Sequence, residues 1–145
     1  MTVFANNSKA RFDFEVLETF NAGLELLGTE VKSVRAGSMN LRGAFIGIRG
    51  AEAFLIGADI PSYQPKNTPE GYDPLRSRKL LLSKSEIEEL HLAESTNGLT
   101  IVPLKVYNKN RFLKLELAIA RGKKKYDKRQ AIKKRDTERE IGKSL

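Results

Sequence analysis

From Arg11 the chain alternates: Phe12, Phe14 and Val16 fall on one side, Asp13 and Glu15 on the other. That period of two predicts a half-buried strand. Asn21-Ala22-Gly23 reads as a turn, after which Leu24, Leu26 and Leu27 form a second short strand. Gly28 breaks it, and Thr29 caps a short helix carrying Glu30, Val31, Val34 and Arg35, with Gly37 at the helix stop. Strands over 44–49 and 53–58 meet at Gly50-Ala51-Glu52 as a hairpin. Residues 61–74 carry Pro61, Pro65, Pro69, Gly71 and Pro74 and predict a long loop. Asp73-Pro74 opens a helix containing Leu80, Leu81 and Leu82. Ser83-Lys84-Ser85-Glu86 is a capping box for another, with Ile87, Leu90 and Leu92 inward. The clearest hairpin joins 99–107 to 112–120, with Leu113, Leu115, Leu117 and Ile119 on one face and Lys114 and Glu116 on the other.

Six strands with two or three short helices predict a mainly β fold, a six-stranded antiparallel OB-like barrel. The chain of 145 residues has room for one such core, over 1–121. Residues 122–145 differ. From Lys128 onward the only apolar side chains are Ala131, Ile132, Ile141 and Leu145. Helix propensity is good there, but no apolar stripe exists to repay ordering. The expectation is a tail disordered when free and helical where its charges meet RNA.

Charge sharpens this division. The last 25 residues hold eleven Lys/Arg against four Asp/Glu, whereas residues 1–120 hold fifteen against fourteen. A cationic arm on a near-neutral body points to a polyanion, and each phosphate neutralised releases condensed counterions. Cysteine is absent, which suits a reducing cytoplasm and removes disulfides and thiolate metal sites. No apolar run approaches a membrane span, and the amino terminus lacks a secretion signal. His91 is the single histidine, and Asp13 with Glu15 is accounted for by strand alternation, so no metal and no cofactor are expected. No phosphate-binding glycine loop and no nucleophilic triad can be assembled, which argues against an enzyme.

Five collinear blocks carry a resemblance. They are Asn7-Ser8-Lys9-Ala10 with Phe12-Asp13-Phe14, Gly28-Thr29-Glu30-Val31-Lys32-Ser33-Val34-Arg35-Ala36-Gly37, and Arg76-Ser77-Arg78-Lys79-Leu80-Leu81-Leu82 with Glu86-Ile87. The others are the 98–107 and 113–118 hairpin arms, and Gly122 to Arg129 followed by Ile132 to Asp136. Together they resemble small protein B, the SsrA-binding (tmRNA-binding) family of bacterial trans-translation. That resemblance implies an OB-like fold, no catalysis and no cofactor. It implies binding to the tRNA-like domain of tmRNA and delivery of that RNA to stalled ribosomes. There the tail occupies the decoding centre and empty mRNA channel, walled by small-subunit rRNA. The chain departs from the family at Arg42-Gly43-Ala44-Phe45, where an Asp-Ser-Tyr run is common, at Pro61-Ser62-Tyr63-Gln64-Pro65, and at Ser83.

By resemblance, Glu30 and Lys32 belong to the RNA-facing surface, and Asn7, Lys9 and Arg11 contact the backbone of the tRNA-like elbow. Arg76, Arg78 and Lys79 form a basic cluster beside the proline-rich loop; on a helix Arg76 and Lys79 would share a face and could clamp phosphates. Lys105, Lys109 and Arg111 add phosphate contacts near the hairpin end. In the tail, Lys123, Lys124, Asp127, Lys128 and Arg129 match the motif needed for rescue, and Tyr126 offers a π face to a decoding-centre base. Lys133, Lys134, Arg135 and Arg139 would line the channel. The rival reading is an OB-type ribosomal or single-stranded nucleic-acid-binding module with a nonspecific basic tail. A small metal-dependent nuclease would need Asp13 and Glu15 to converge on an ion.

Overall fold

The two long strand-like arms pair as a hairpin, as expected from their sequence. In the computed structural model, which describes residues 1–64, 66 and 69–123, β6 (Leu99–Lys109) and β7 (Phe112–Gly122) run antiparallel from Leu99 opposite Arg121 to Lys109 opposite Phe112. Asn110 turns the hairpin with φ 56°, the left-handed conformation that asparagine tolerates. Leu113, Leu115, Leu117 and Ile119 point into the main core, with Phe20, Leu55, Leu80 and Val106. Ala118 and Ala120 lie on the other face, where they bury Ala10, Val102 and Leu104 with Phe14 against them. Truncating a side chain as enclosed as Leu115 or Leu117 costs about 2–5 kcal/mol.

The sheet has seven strands, not six. The others are β1 (Val3–Asn6), β2 (Phe14–Leu24), β3 (Phe45–Arg49), β4 (Glu52–Ile56) and β5 (Arg78–Leu81). Their order is β1-β6-β7-β2-β5-β4-β3, each neighbouring pair antiparallel. The hydrogen-bonded order is open, with β1 and β3 at its edges; β3 nevertheless packs beside β6, so the sheet rolls on itself without a closing ladder. Three helices accompany it: α1 (Ser8–Asp13), α2 (Gly28–Arg35) and α3 (Lys84–Glu94).

Four sequence expectations change. The strand foreseen from Arg11 begins only at Phe14, because the Asn7 side chain accepts from Ala10 N and starts α1. Val16 and Leu17 are both exposed, at a register shift between Val16 and Glu18. No turn forms at Asn21-Ala22-Gly23; β2 runs straight through, hydrogen-bonded to β7 on one side and β5 on the other. Leu80 to Leu82 do not lie in a helix. Asp73 Oδ1 accepts from Leu75 N at 2.9 Å in a local turn, and the chain then extends into β5, whose Leu80 is buried between Leu24 and Ala53. In α3 the capping box forms, with Ser83 and Glu86 bonding each other's backbone, but Leu92 is exposed while Leu90 and Ala93 face in.

No helix among the described residues is long and apolar enough to cross a membrane. The tail readings at Lys124, Tyr126, Asp127, Lys128, Arg129, Lys133, Lys134, Arg135 and Arg139 lie outside the described residues.

Candidate nucleic-acid interface

Glu30 sits in the first turn of α2, where a carboxylate meets the positive end of the helix. Its Oε1 accepts from Leu27 N at 2.9 Å, capping the helix. Both arginines that follow the proline-rich loop converge on it. Arg78 reaches Oε2 through Nε at 2.9 Å and through a terminal nitrogen at 2.6 Å, and Arg76 Nε lies 3.1 Å from the same oxygen. A terminal nitrogen of Arg76 pairs with Oε1. Tyr72 adds its hydroxyl, 3.1 Å from Oε2 and 2.7 Å from the Ile60 carbonyl.

Glu30 is 1% exposed and Arg78 0%. The remaining Arg78 donors go to the carbonyls of Ala58 at 2.6 Å and Pro74 at 2.9 Å. Burial pushes the Glu30 pKa up, but the donors from Arg76, Leu27 N and Arg78 outweigh it and leave the carboxyl below its ordinary value. Burial, then the Glu30 charge, raises Tyr72.

These positions therefore act differently from the sequence expectation. Glu30 and Arg78 are enclosed, their polar atoms taken up by each other and by Leu27 N, Arg76, Tyr72 and the Ala58 and Pro74 carbonyls, so neither presents a surface to RNA. Arg76 and Lys79 do not share a helical face; Arg76 turns to Glu30, and Lys79 lies on β5, 4.0 Å from Glu52. The cluster instead fixes the loop: α2 holds it through Glu30 and through Ser33 Oγ, which donates to the Pro61 carbonyl at 2.6 Å.

A second group lies across the face of the sheet opposite the main core. Glu116 is shared by Arg11 at 3.2 Å and Lys105 at 3.8 Å. Lys105 Nζ stands 5.6 Å from the centre of the Tyr107 ring, whose hydroxyl donates to Asn21 Oδ1 at 2.5 Å. Burial, then Glu116, raises the Tyr107 pKa. Such single, long-range pairs on a half-buried carboxylate are worth about 1 kcal/mol each, so an incoming phosphate can exchange for the carboxylate. Asn7 is differently committed: it caps α1 and its Nδ2 donates to the Pro103 carbonyl at 2.9 Å. Lys9 and Lys32 are exposed and take part in no ion pair among the described residues. Lys109 and Arg111 flank the β6–β7 turn, and the Arg111 carbonyl accepts from Arg35 at 3.0 Å. Lys123 follows β7, its backbone N–H donating to Asp13 at 2.9 Å.

Near the β6–β7 turn, at the margin of the sheet, is a hollow of about 280 Å³ lined by Gly23, Leu24, Leu26, Val31, Leu81, Arg111, Phe112, Leu113 and Lys114. Gly23 lies between Lys114 of β7 and Leu81 of β5. A Cβ on Gly23 would stand 3.2 Å from that of Leu81, so glycine lets the leucine lean across the strand. Leu81 is 53% exposed and Phe112 70%. Exposed aromatic and aliphatic side chains flanked by Arg111 and Lys114, which take part in no ion pair among the described residues, have the chemistry to hold an unstacked base and its phosphate. Leu81, Phe112 and Lys114 were not among the candidate residues named from the sequence. The alternation in β7 already signalled the last two: with Leu113 and Leu115 inward, Phe112 and Lys114 face out.

Among the described residues no three His, Asp or Glu side chains gather to hold a metal ion.

Comparison with known proteins joins these features to a family. The family model described as SmpB protein matches residues 4–145. An SsrA-binding protein of Thermosynechococcus vestitus is 50% identical over 143 residues, covering 99% of this chain and 94% of the relative. One from Mesoplasma florum is 53% identical over 137 residues, covering 94% and 92%. A solved structure described as "tmRNA-SmpB: a journey to the center of the bacterial ribosome" superposes with a TM-score of 0.67 at 42% identity, covering 88% of this chain and 92% of that one. The chain belongs to the SmpB protein family.

Proposed function

We propose that this protein binds the tRNA-like domain of tmRNA and delivers it to stalled ribosomes in the bacterial cytoplasm, acting by recognition with no covalent step of its own. The observation that carries the reading is near-complete alignment with SsrA-binding proteins, about half of whose residues are identical. Division of labour follows the charge. The folded body, 1–121, recognises shaped RNA through the outer sheet face, using Lys9, Arg11 and Lys105, and beside it through Lys32 of α2 and the Leu81–Phe112 hollow. Asn7 supports this face by holding α1, and Glu30 with Arg76 and Arg78 supports it by holding the loop; Lys79 adds a cation on β5. Residues 122–145 serve the ribosome: Lys123, Lys124, Tyr126, Asp127, Lys128 and Arg129 at the decoding centre, and Lys133, Lys134, Arg135 and Arg139 along the empty mRNA channel, where the segment becomes helical.

The test is the triple substitution Asp127→Ala, Lys128→Ala, Arg129→Ala. Binding to the tRNA-like domain should stay within about twofold, since these residues lie outside the body, while tagging of peptides on stalled ribosomes is lost. A large loss of RNA binding would move recognition into the tail and favour a nonspecific module.

A further inference from the structure

A second hollow, of about 360 Å³, opens where the N-terminal segment meets the turn after Asn40; its walls are Asn6, Asn7, Ser8, Lys9, Asn40 and Arg42. Every wall residue has a polar side chain, and both charges are positive. Neither Lys9 nor Arg42 takes part in an ion pair among the described residues. Asp59, the acidic residue bridged to Asn40, does not line the hollow.

Both walls are fixed from behind. Asn40 exchanges two backbone hydrogen bonds with Asp59, at 2.9 and 3.0 Å, and its Oδ1 accepts from Arg42 N at 2.8 Å. Leu41 is buried, Ala44 N donates to the Leu41 carbonyl at 3.0 Å, and Gly43 takes φ 78°. This turn leaves the exposed Arg42 side chain outside a rigid support. Opposite, Asn7 is held by Ala10 N and the Pro103 carbonyl. Two cations with neutral amide and hydroxyl donors between them match a phosphate, whose oxygens accept from several directions. The hollow is open and its charged groups are exposed, which gives a lone anion little gain, while an RNA chain already held elsewhere on the body brings its phosphate at high effective concentration.

We propose that this hollow seats one backbone phosphate of the bound RNA, held by the Arg42 guanidinium and the Lys9 ammonium. The inference rests on the RNA-binding reading above and extends that surface to Arg42, the turn after Asn40.

The experiment compares the full-length wild type with Arg42→Ala, Arg42→Lys and a control, Lys84→Ala, on the tRNA-like domain of tmRNA and on an unstructured RNA of equal length, across a series of salt concentrations. Thermal melts check that each variant is folded. Arg42→Ala should lower the log–log salt slope by about 0.7–0.9, the share of one phosphate. Its affinity loss should shrink as salt rises; Arg42→Lys should recover most of the slope, and Lys84→Ala should match the wild type. A slope unchanged by Arg42→Ala while the wild type still prefers the tRNA-like domain overturns this inference alone. A wild type without that preference overturns the RNA reading itself. Titration with inorganic phosphate separates the sources: saturable shifts at Arg42 with an unaltered RNA slope would make this a free-anion site and also overturn the proposal.

Discussion

Replacing Glu30 should unfold the protein far more readily than replacing any other acidic residue of the body. Its carboxylate neutralises Arg78, which has no exposure, and Arg76, and it also caps α2. Removing one partner of a buried pair costs about 3–5 kcal/mol, because the other charge is left without compensation. A domain of this size loses about 4 °C in Tm per kcal/mol, so Glu30→Ala should melt roughly 12–20 °C lower. Glu30→Gln keeps the shape and one acceptor and should fall part of the way.

The pH dependence distinguishes this from loss of packing. The folded-state pKa of Glu30 lies below its unfolded value. Its contribution is therefore complete above the unfolded carboxylate pKa and is lost as pH falls through the folded one. Wild-type melts by circular dichroism should drop across that acid window, and Glu30→Gln should show a shallower drop. A Glu30→Ala protein melting within about 4 °C of wild type, or an acid limb of unchanged slope in Glu30→Gln, would refute the reasoning.

Three other substitutions probe the outer face. Glu116→Gln frees Arg11 and Lys105, so stability should change by no more than about 1 kcal/mol; filter binding should show RNA held more tightly, with a steeper salt slope. Phe112→Ala removes an exposed ring and should leave Tm near wild type, while RNA affinity falls by the roughly 1–3 kcal/mol of one stacked base; an unchanged affinity would remove the hollow from the interface. Gly23→Ala sets a methyl against Leu81, and should weaken RNA binding through displacement of that leucine, readable in binding and in a crystal structure together.

Much of the architecture was legible because it is local. The β6–β7 hairpin has long alternating arms, and α3 carries its own capping box, Ser83 with Glu86. What misled were elements decided by partners distant in sequence. Arg76-Ser77-Arg78-Lys79 followed by three leucines satisfies a helix as well as a strand. The choice is made by Glu30, 48 residues away from Arg78, together with pairing to β2 and β4. The same contact explains the misplaced role of Glu30. A charged residue is assigned to the surface by default, and nothing within α2 announces two guanidiniums arriving from a loop. Asn21-Ala22-Gly23 read as a turn because small residues favour turns; in the fold Ala22 is buried in the core, Asn21 accepts from the Tyr107 hydroxyl, and Gly23 alone gives the low relief that lets Leu81 cross. Lys9 and Lys32, expected at the RNA-facing surface by resemblance, are exposed in the fold. Which other cations already hold a carboxylate, as Arg11 and Lys105 do, is a property of the assembled sheet alone.

The central claim is that the body selects the RNA and the tail acts on the ribosome. Its most direct test is binding of residues 1–123 and of the full chain to the tRNA-like domain of tmRNA and to an unstructured RNA of equal length, at two salt concentrations. The account predicts that the shortened protein keeps its preference for the tRNA-like fold and loses mainly salt-dependent affinity for both RNAs. Loss of selectivity together with affinity, in a shortened protein that melts like the full chain, would contradict it.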